Sequence, residues 1–159
     1  MSMNPFEFRT VASIAVQWGG ARALGESLAA RFSARSALLI TDKGLVSAGL
    51  IAPVLASLEG SGFRVTVFDS VVADPPEQIV HACAGVAADA GADIIIGLGG
   101  GSSLDIAKLA AVLAAGSQPL SEMYGIGKVT GSRLPLVLIP TTAGTGSEVT
   151  NISIITTGE

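Results

Sequence analysis

Apolar and polar positions fall in blocks along this chain, and the period changes from block to block. Ala37-Leu38-Leu39-Ile40-Thr41 is a short apolar run that stops at Asp42-Lys43-Gly44, predicting a strand closed by a turn. From about 47 to 59, Leu50, Val54, Leu55 and Leu58 recur at helical spacing, and Gly60 and Gly62 stop the pattern. Arg64-Val65-Thr66-Val67-Phe68 is β-branched and strand-like. Asp74-Pro75-Pro76 breaks the chain and opens a helix, along which Ile79, Cys83, Val86, Ala87 and Ala90 form an apolar stripe that ends at Gly91. Residues 93–97 and 134–139 are apolar enough to be strands buried on both faces. A helix is predicted from about 103 to 115, and 149–156 reads as a last strand. Nearer the start, 11–17 alternates loosely as an edge strand would, and Ala21, Leu24, Leu28 and Phe32 share one helical face.

This order of strands and helices predicts an α/β fold: an open, mostly parallel sheet with helices on both faces. Composition agrees. The 159 residues are 49% hydrophobic and only 14% charged, too apolar for disorder. A chain of this length buries one core, so a single domain is expected. The low charged fraction suggests a face covered by another subunit, and a homodimer or higher oligomer is expected. The net charge of −4 argues against nucleic acid as a partner. No apolar run is long enough to span a membrane, and residues 1–10 lack a signal-peptide pattern. One Cys excludes an internal disulfide, and one His with one Cys excludes a histidine-rich metal site. A cytoplasmic location is expected.

Ligands of open α/β sheets sit at the carboxyl ends of the strands. Three polar loops leave strand ends here. Gly99-Gly100-Gly101-Ser102 lies between a buried strand and a helix, where glycines admit an anion close to the backbone and the helix N-terminus attracts it. Ser102 and Asp105 have the spacing of a capping box, so an ordinary tight turn and cap is the competing reading. The usual dinucleotide fingerprint does not fit, because Ser102 stands where its third glycine belongs. Asp42 could accept from a ribose diol and repel a 2′-phosphate, or could simply cap a turn. The third loop, 141–148, carries Thr141, Thr142, Thr145 and Ser147, which could bind phosphate, ribose or amide groups or satisfy their own backbone. His81 lies opposite the apolar stripe and is expected to be exposed, and Cys83 belongs to the core. Lys108 could reach a phosphate or stay solvated, and Trp18 is a core or interface aromatic with no assigned chemistry.

The loops together resemble one family. Residues 99–108, GGGSSLDIAK, are similar to the GGGSxxDxAK stretch of iron-containing (group III) alcohol dehydrogenases. Residues 140–150, PTTAGTGSEVT, resemble a second stretch of that family, and Thr41-Asp42 resembles the end of its first nucleotide-domain strand. The resemblance implies a Rossmann-like domain, similar to the N-terminal domain of dehydroquinate synthases, that binds NAD rather than NADP for hydride transfer between nicotinamide and a primary alcohol or aldehyde. It implies that Gly99, Gly100, Gly101 and Ser102 hold the pyrophosphate. It also implies that Asp42 contacts the adenosine ribose, that Thr141, Thr142, Thr145 and Thr150 line the groove, and that Asp105 lies on the cofactor side of its helix. Asp74 stands where the family commonly has Asn, which leaves that contact without an amide donor. The family's metal ligands, an aspartate and three histidines binding Fe2+ or Zn2+, lie in a helical C-terminal domain expected to be absent from residues 1–159. No catalytic or metal-binding residue is therefore expected here. A nucleotide-binding or assembly module without turnover, and a dehydroquinate synthase-like lyase, are the competing functions.

Overall fold

The computed structural model describes residues 10–158. Four strands, β1 (Ser36–Ile40), β2 (Arg64–Phe68), β3 (Ile94–Gly99) and β4 (Leu136–Pro140), form one sheet in the order β2-β1-β3-β4. Every pairing is parallel: Leu38 lies opposite Thr66 on one side and Ile95 on the other, and Gly97 lies opposite Leu138. Because β1 and β3 are central, they are buried along their whole length.

The two faces are covered by different helices. Leu38 and Ile40 of β1 and Ile95 of β3 point to one core, with Val80, Cys83 and Ala87 of α4 (Glu77–Asp89) and Ile106, Ala107 and Ala110 of α5 (Gly101–Ala115). Ala37, Leu39, Ile94 and Ile96 point the other way, toward Leu28 of α1 (Leu24–Arg31) and Val54 and Leu58 of α3 (Ala52–Gly60). Full burial of each such aliphatic side chain contributes about 1.5–3 kcal/mol. The two-sided alternation is thus what fixes the layers.

Two glycines let helices come close. A Cβ on Gly97 would lie 2.7 Å from the Ala107 Cβ, so α5 rests directly on β3. A Cβ on Gly25 would lie 2.0 Å from the Ser57 carbonyl oxygen, and the Gly25 amide donates to Ser57 Oγ at 3.0 Å where α1 crosses α3.

The structure departs from the sequence expectations in several places. The helix expected over 47–59 forms only as α3 from Ala52, with Leu50 exposed before it, and a short helix α2 (Lys43–Ser47) occupies the place expected to be a turn. Gly49, at φ 70°, makes the break in the left-handed region. The strands expected over 11–17 and 149–156 do not form. Ile14 and Val16 are exposed, and among the described residues beyond 148 the pairing is an isolated bridge from Thr156 to Pro76. Of the two readings for Trp18, core or interface, full exposure removes the core. On α4 the central core residue is Val80, which the sequence stripe omitted, while Ile79 is half-buried. His81 is exposed and Cys83 buried, as expected.

Two stability predictions follow from this packing. Gly97→Ala should destabilise by about 1–3 kcal/mol in urea unfolding through overpacking. Gly85→Ala, at an exposed helical position with open space around it, should stabilise by about 0.5–1 kcal/mol. The Cys83 thiol is pushed up to about 12 by burial. It folds neutral, so its contribution is complete below pH 9 and is lost as pH rises from about 9 to about 12. A thiol reagent at pH 8 should label Cys83 only at the rate of unfolding; prompt labelling of native chain would contradict its burial.

Candidate functional site

The carboxyl ends of β1, β2 and β3 meet at one rim. The Thr41 amide donates to the Phe68 carbonyl at 2.9 Å, and Asp42 forms an isolated bridge with Ser70, so the ends of β1 and β2 run side by side. Asp42 is the N-cap of α2, its Oδ1 accepting from the Leu45 amide at 3.0 Å. The capping role read as an alternative for Asp42 is therefore present. Asp42 also lines a cleft of about 580 Å³.

That cleft is walled by Asp42–Gly44, by 69–73 after β2, and by Gly100–Ser103 at the start of α5. Gly100 is the N-cap of α5 and carries no side-chain cap bond. The capping box expected between Ser102 and Asp105 is not formed, because the helix starts two residues earlier and Ser102 sits inside its first turn. The first-turn amides are thus left without a side-chain acceptor at the cleft wall, where an anion would satisfy them.

The three glycines here differ in what a Cβ would meet. Gly99 has φ 157°, and a Cβ on it would lie 2.6 Å from Ser103 Oγ. A Cβ on Gly101 would press on the Thr145 Cγ2 at 3.1 Å and the Ser147 Oγ at 3.3 Å. A Cβ on Gly100 would make ordinary contact with Thr142 at 3.7 Å and would occupy space at the cleft wall. The chain after β4 therefore lies over the glycines, tied at its start by the Thr141 amide donating to the Gly99 carbonyl at 2.9 Å. These features fit a dinucleotide: a Cβ-free wall and open helix amides suit a pyrophosphate, and the Asp42 carboxylate suits a diol.

The structure brings Asp42, Gly100, Gly101 and Ser102 together at the cleft and places Thr142 and Thr145 against its glycine wall. Thr141, Thr142, Thr145 and Thr150 are all exposed. Asp74 lies just past the lining, which ends at Ala73; it is exposed, in the left-handed region at φ 45°, and its carbonyl accepts from Thr156 Oγ1 at 3.1 Å. Asp105 is only 6% exposed and is turned to 150–154, where Oδ2 accepts from the Ile154 amide at 3.0 Å. Lys108 is neither solvated nor at the cleft: its Nζ lies 2.8 Å from Asp105 Oδ1.

Sequence reading missed one wall. Asp69, Ser70 and Val71 follow β2 and line the cleft beside Asp42, as does Lys43. The strand-end rule applied to Phe68 would have found them, since any parallel neighbour of β1 ends at the same rim.

The domain is an open parallel α/β sheet with a glycine-walled cleft at its strand carboxyl ends, the place where such sheets take their ligands. A sequence model of iron-containing alcohol dehydrogenase matches residues 12–159, and the chain belongs to that family. It is 44% identical over 131 residues to long-chain-alcohol dehydrogenase 1 of Geobacillus thermodenitrificans, covering 79% of this chain and 32% of that protein. Among solved structures, the alcohol dehydrogenase of Oenococcus oeni matches at TM-score 0.89 and 30% identity, covering 98% of this chain and 41% of that one. The sulfoacetaldehyde reductase of Bifidobacterium kashiwanohense, solved in complex with NAD+, matches at TM-score 0.85 and 28% identity, over 97% and 40% of the two chains. The chain spans about a third of the length of the curated relatives it matches. Among the described residues no helix is long and apolar enough to cross a membrane, and no group of His, Cys, Asp and Glu is placed to hold a metal ion.

Proposed function

We propose that residues 1–159 form the NAD-binding domain of a metal-dependent alcohol dehydrogenase. The observation that carries this reading is the single cleft joining Asp42 to the uncapped, glycine-walled N-terminus of α5. In it the amides of Gly101, Ser102 and Ser103 hold the pyrophosphate, with Gly99 and Gly100 giving the close approach. Asp42 accepts from the adenosine ribose diol, and its charge, with Asp69 in the same wall, disfavours the 2′-phosphate of NADP. Thr141, Thr142, Thr145 and Thr150 edge the groove toward the nicotinamide. The left-handed turn at Asp74 shapes the loop that closes the cleft behind Ala73.

When bound, the nicotinamide accepts or gives the hydride exchanged with a primary alcohol or aldehyde. The residues of this chain bind and orient the cofactor. Fe2+ or Zn2+, which would polarise the alcohol oxygen, belongs to a helical domain outside these residues. The exposed apolar side chains Ile14, Val16 and Trp18 and the half-buried edge strand β4 support assembly into a homodimer or larger oligomer. A soluble, cytoplasmic enzyme is the setting that fits a buried free thiol and NAD chemistry.

A fluorescence titration with NADH tests the reading: saturable binding below millimolar cofactor is expected, and none at millimolar would contradict it. Asp42→Gly should raise affinity for NADPH relative to NADH about tenfold, equivalent to relieving about 1.4 kcal/mol of repulsion. Glycine is the informative replacement, because it costs the α2 cap only a few tenths of a kcal/mol. An unchanged ratio would remove Asp42 from the ribose site.

A further inference from the structure

The segment after Ser147 forms no strand, yet it is held at several points. The Ile154 amide donates to Asp105 Oδ2 at 3.0 Å, and Ser153 Oγ donates to the Asp105 carbonyl at 3.2 Å. Lys108 Nζ pairs with Asp105 Oδ1 at 2.8 Å and donates to the carbonyls of Ile152 and, at 3.5 Å, Thr150. Further on, the Thr156 amide donates to the Pro75 carbonyl at 2.9 Å, and the Glu77 amide donates to the Thr156 carbonyl at 3.1 Å. With the Thr141 amide fixed to Gly99 at the other end, 141–156 is a strap tied to β3, to α5 and to the start of α4. Between its first two ties lie Thr142 and Thr145, the residues packed over Gly100 and Gly101.

The tie to α5 is ionic and nearly dry, with side-chain exposures of 11% for Lys108 and 8% for Asp105. The Lys108 ammonium donates to two backbone carbonyls and forms an ion pair with Asp105 Oδ1, a buried oxygen that takes no hydrogen bond. The carboxylate in turn answers the ammonium with one oxygen and the Ile154 amide with the other. Removing either partner leaves a charge without its counter-charge in a site from which water is largely excluded, so the strap would leave α5 rather than tolerate it.

We propose that Asp105 and Lys108 are positioning residues: their buried pair pins the strap to α5 and so keeps Thr142–Ser147 over the glycine cradle. The proposal rests on the cofactor reading above, and it gives both residues a role through the strap instead of through contact with the dinucleotide. It accounts for an acid and a base one helical turn apart that turn away from the cleft although they follow its glycines directly in sequence.

The test pairs amide hydrogen exchange with NADH titration in Asp105→Ala, Asp105→Asn and Lys108→Met. In Asp105→Ala and Lys108→Met the Ile154 amide should exchange about tenfold faster or more, while amides of β1 keep their protection. The NADH dissociation constant should rise about tenfold, as loss of one charge-assisted hydrogen bond gives. Asp105→Asn keeps an acceptor for the Ile154 amide and should recover part of both effects. Weaker NADH binding with unchanged Ile154 exchange would mean direct contact with the cofactor and would overturn the proposal. So would faster exchange with unchanged affinity. If one variant loses β1 protection, the comparison is read from the other two. Failure of the unmutated chain to bind NADH falls on the cofactor reading alone; unchanged Ile154 exchange in Asp105→Ala and Lys108→Met would still overturn the strap.

Discussion

The close seat of α5 on β3 is the constraint on which the rest depends. Gly97 leaves no Cβ to hold the helix off, so Ala107 packs against the strand backbone and Ile106 and Ala110 reach the core. A helix seated that low must begin immediately beyond the strand. Gly99 and Gly100 supply the turn, and Gly101 is already helical. The N-terminus of a fifteen-residue helix is thereby delivered to the rim of the sheet with its first amides uncapped. Packing in the core and an uncapped helix end at the rim are two results of the same glycine-rich stretch.

Sheet order converts that helix end into a site. Because β1 lies between β2 and β3, the loops after all three strands open on one cleft, with acids on one side and glycines on the other. The chain after β4 then crosses the glycine wall and is bound back to α5 and α4. The cradle is therefore covered by a segment with no regular structure of its own, held by polar ties and by Ile155 packed against the core. Such a segment is among the easier parts of a domain to loosen locally.

Much of this was legible in the sequence. β1 and β3 were readable because central parallel strands are apolar on both faces, and the β-branched run 64–68 matches edge strand β2 to the residue, but β4, expected to be buried on both faces, is a half-buried edge strand. The stripe on α4 was readable from period, although Val80 was passed over because its neighbour Ile79 fitted the same spacing. The apolar period over 47–59 concealed a break, since Gly49 turns left-handed inside a pattern that only counts side chains. The β-branched run over 149–156 looked like a strand, but its polar groups are claimed by Asp105, Lys108 and Pro75 rather than by a sheet edge. Those partners lie more than forty residues away, beyond any local pattern. The glycine wall and Asp42 were found from motif and strand-end position, whereas Asp69 and Ser70 needed the sheet order. Asp105, expected on the cofactor side from the family motif, pairs with Lys108 and Ile154, contacts that no local pattern shows.

The central claim is that one cleft, at the ends of β1, β2 and β3, holds the dinucleotide. Backbone NMR of the chain titrated with NADH tests it most directly. The account predicts shift changes concentrated at 42–44, 69–73 and 99–103, with the largest at the amides of Gly101 and Ser102. Binding accompanied by changes confined to other surfaces, with the amides of 99–103 unmoved, would contradict it.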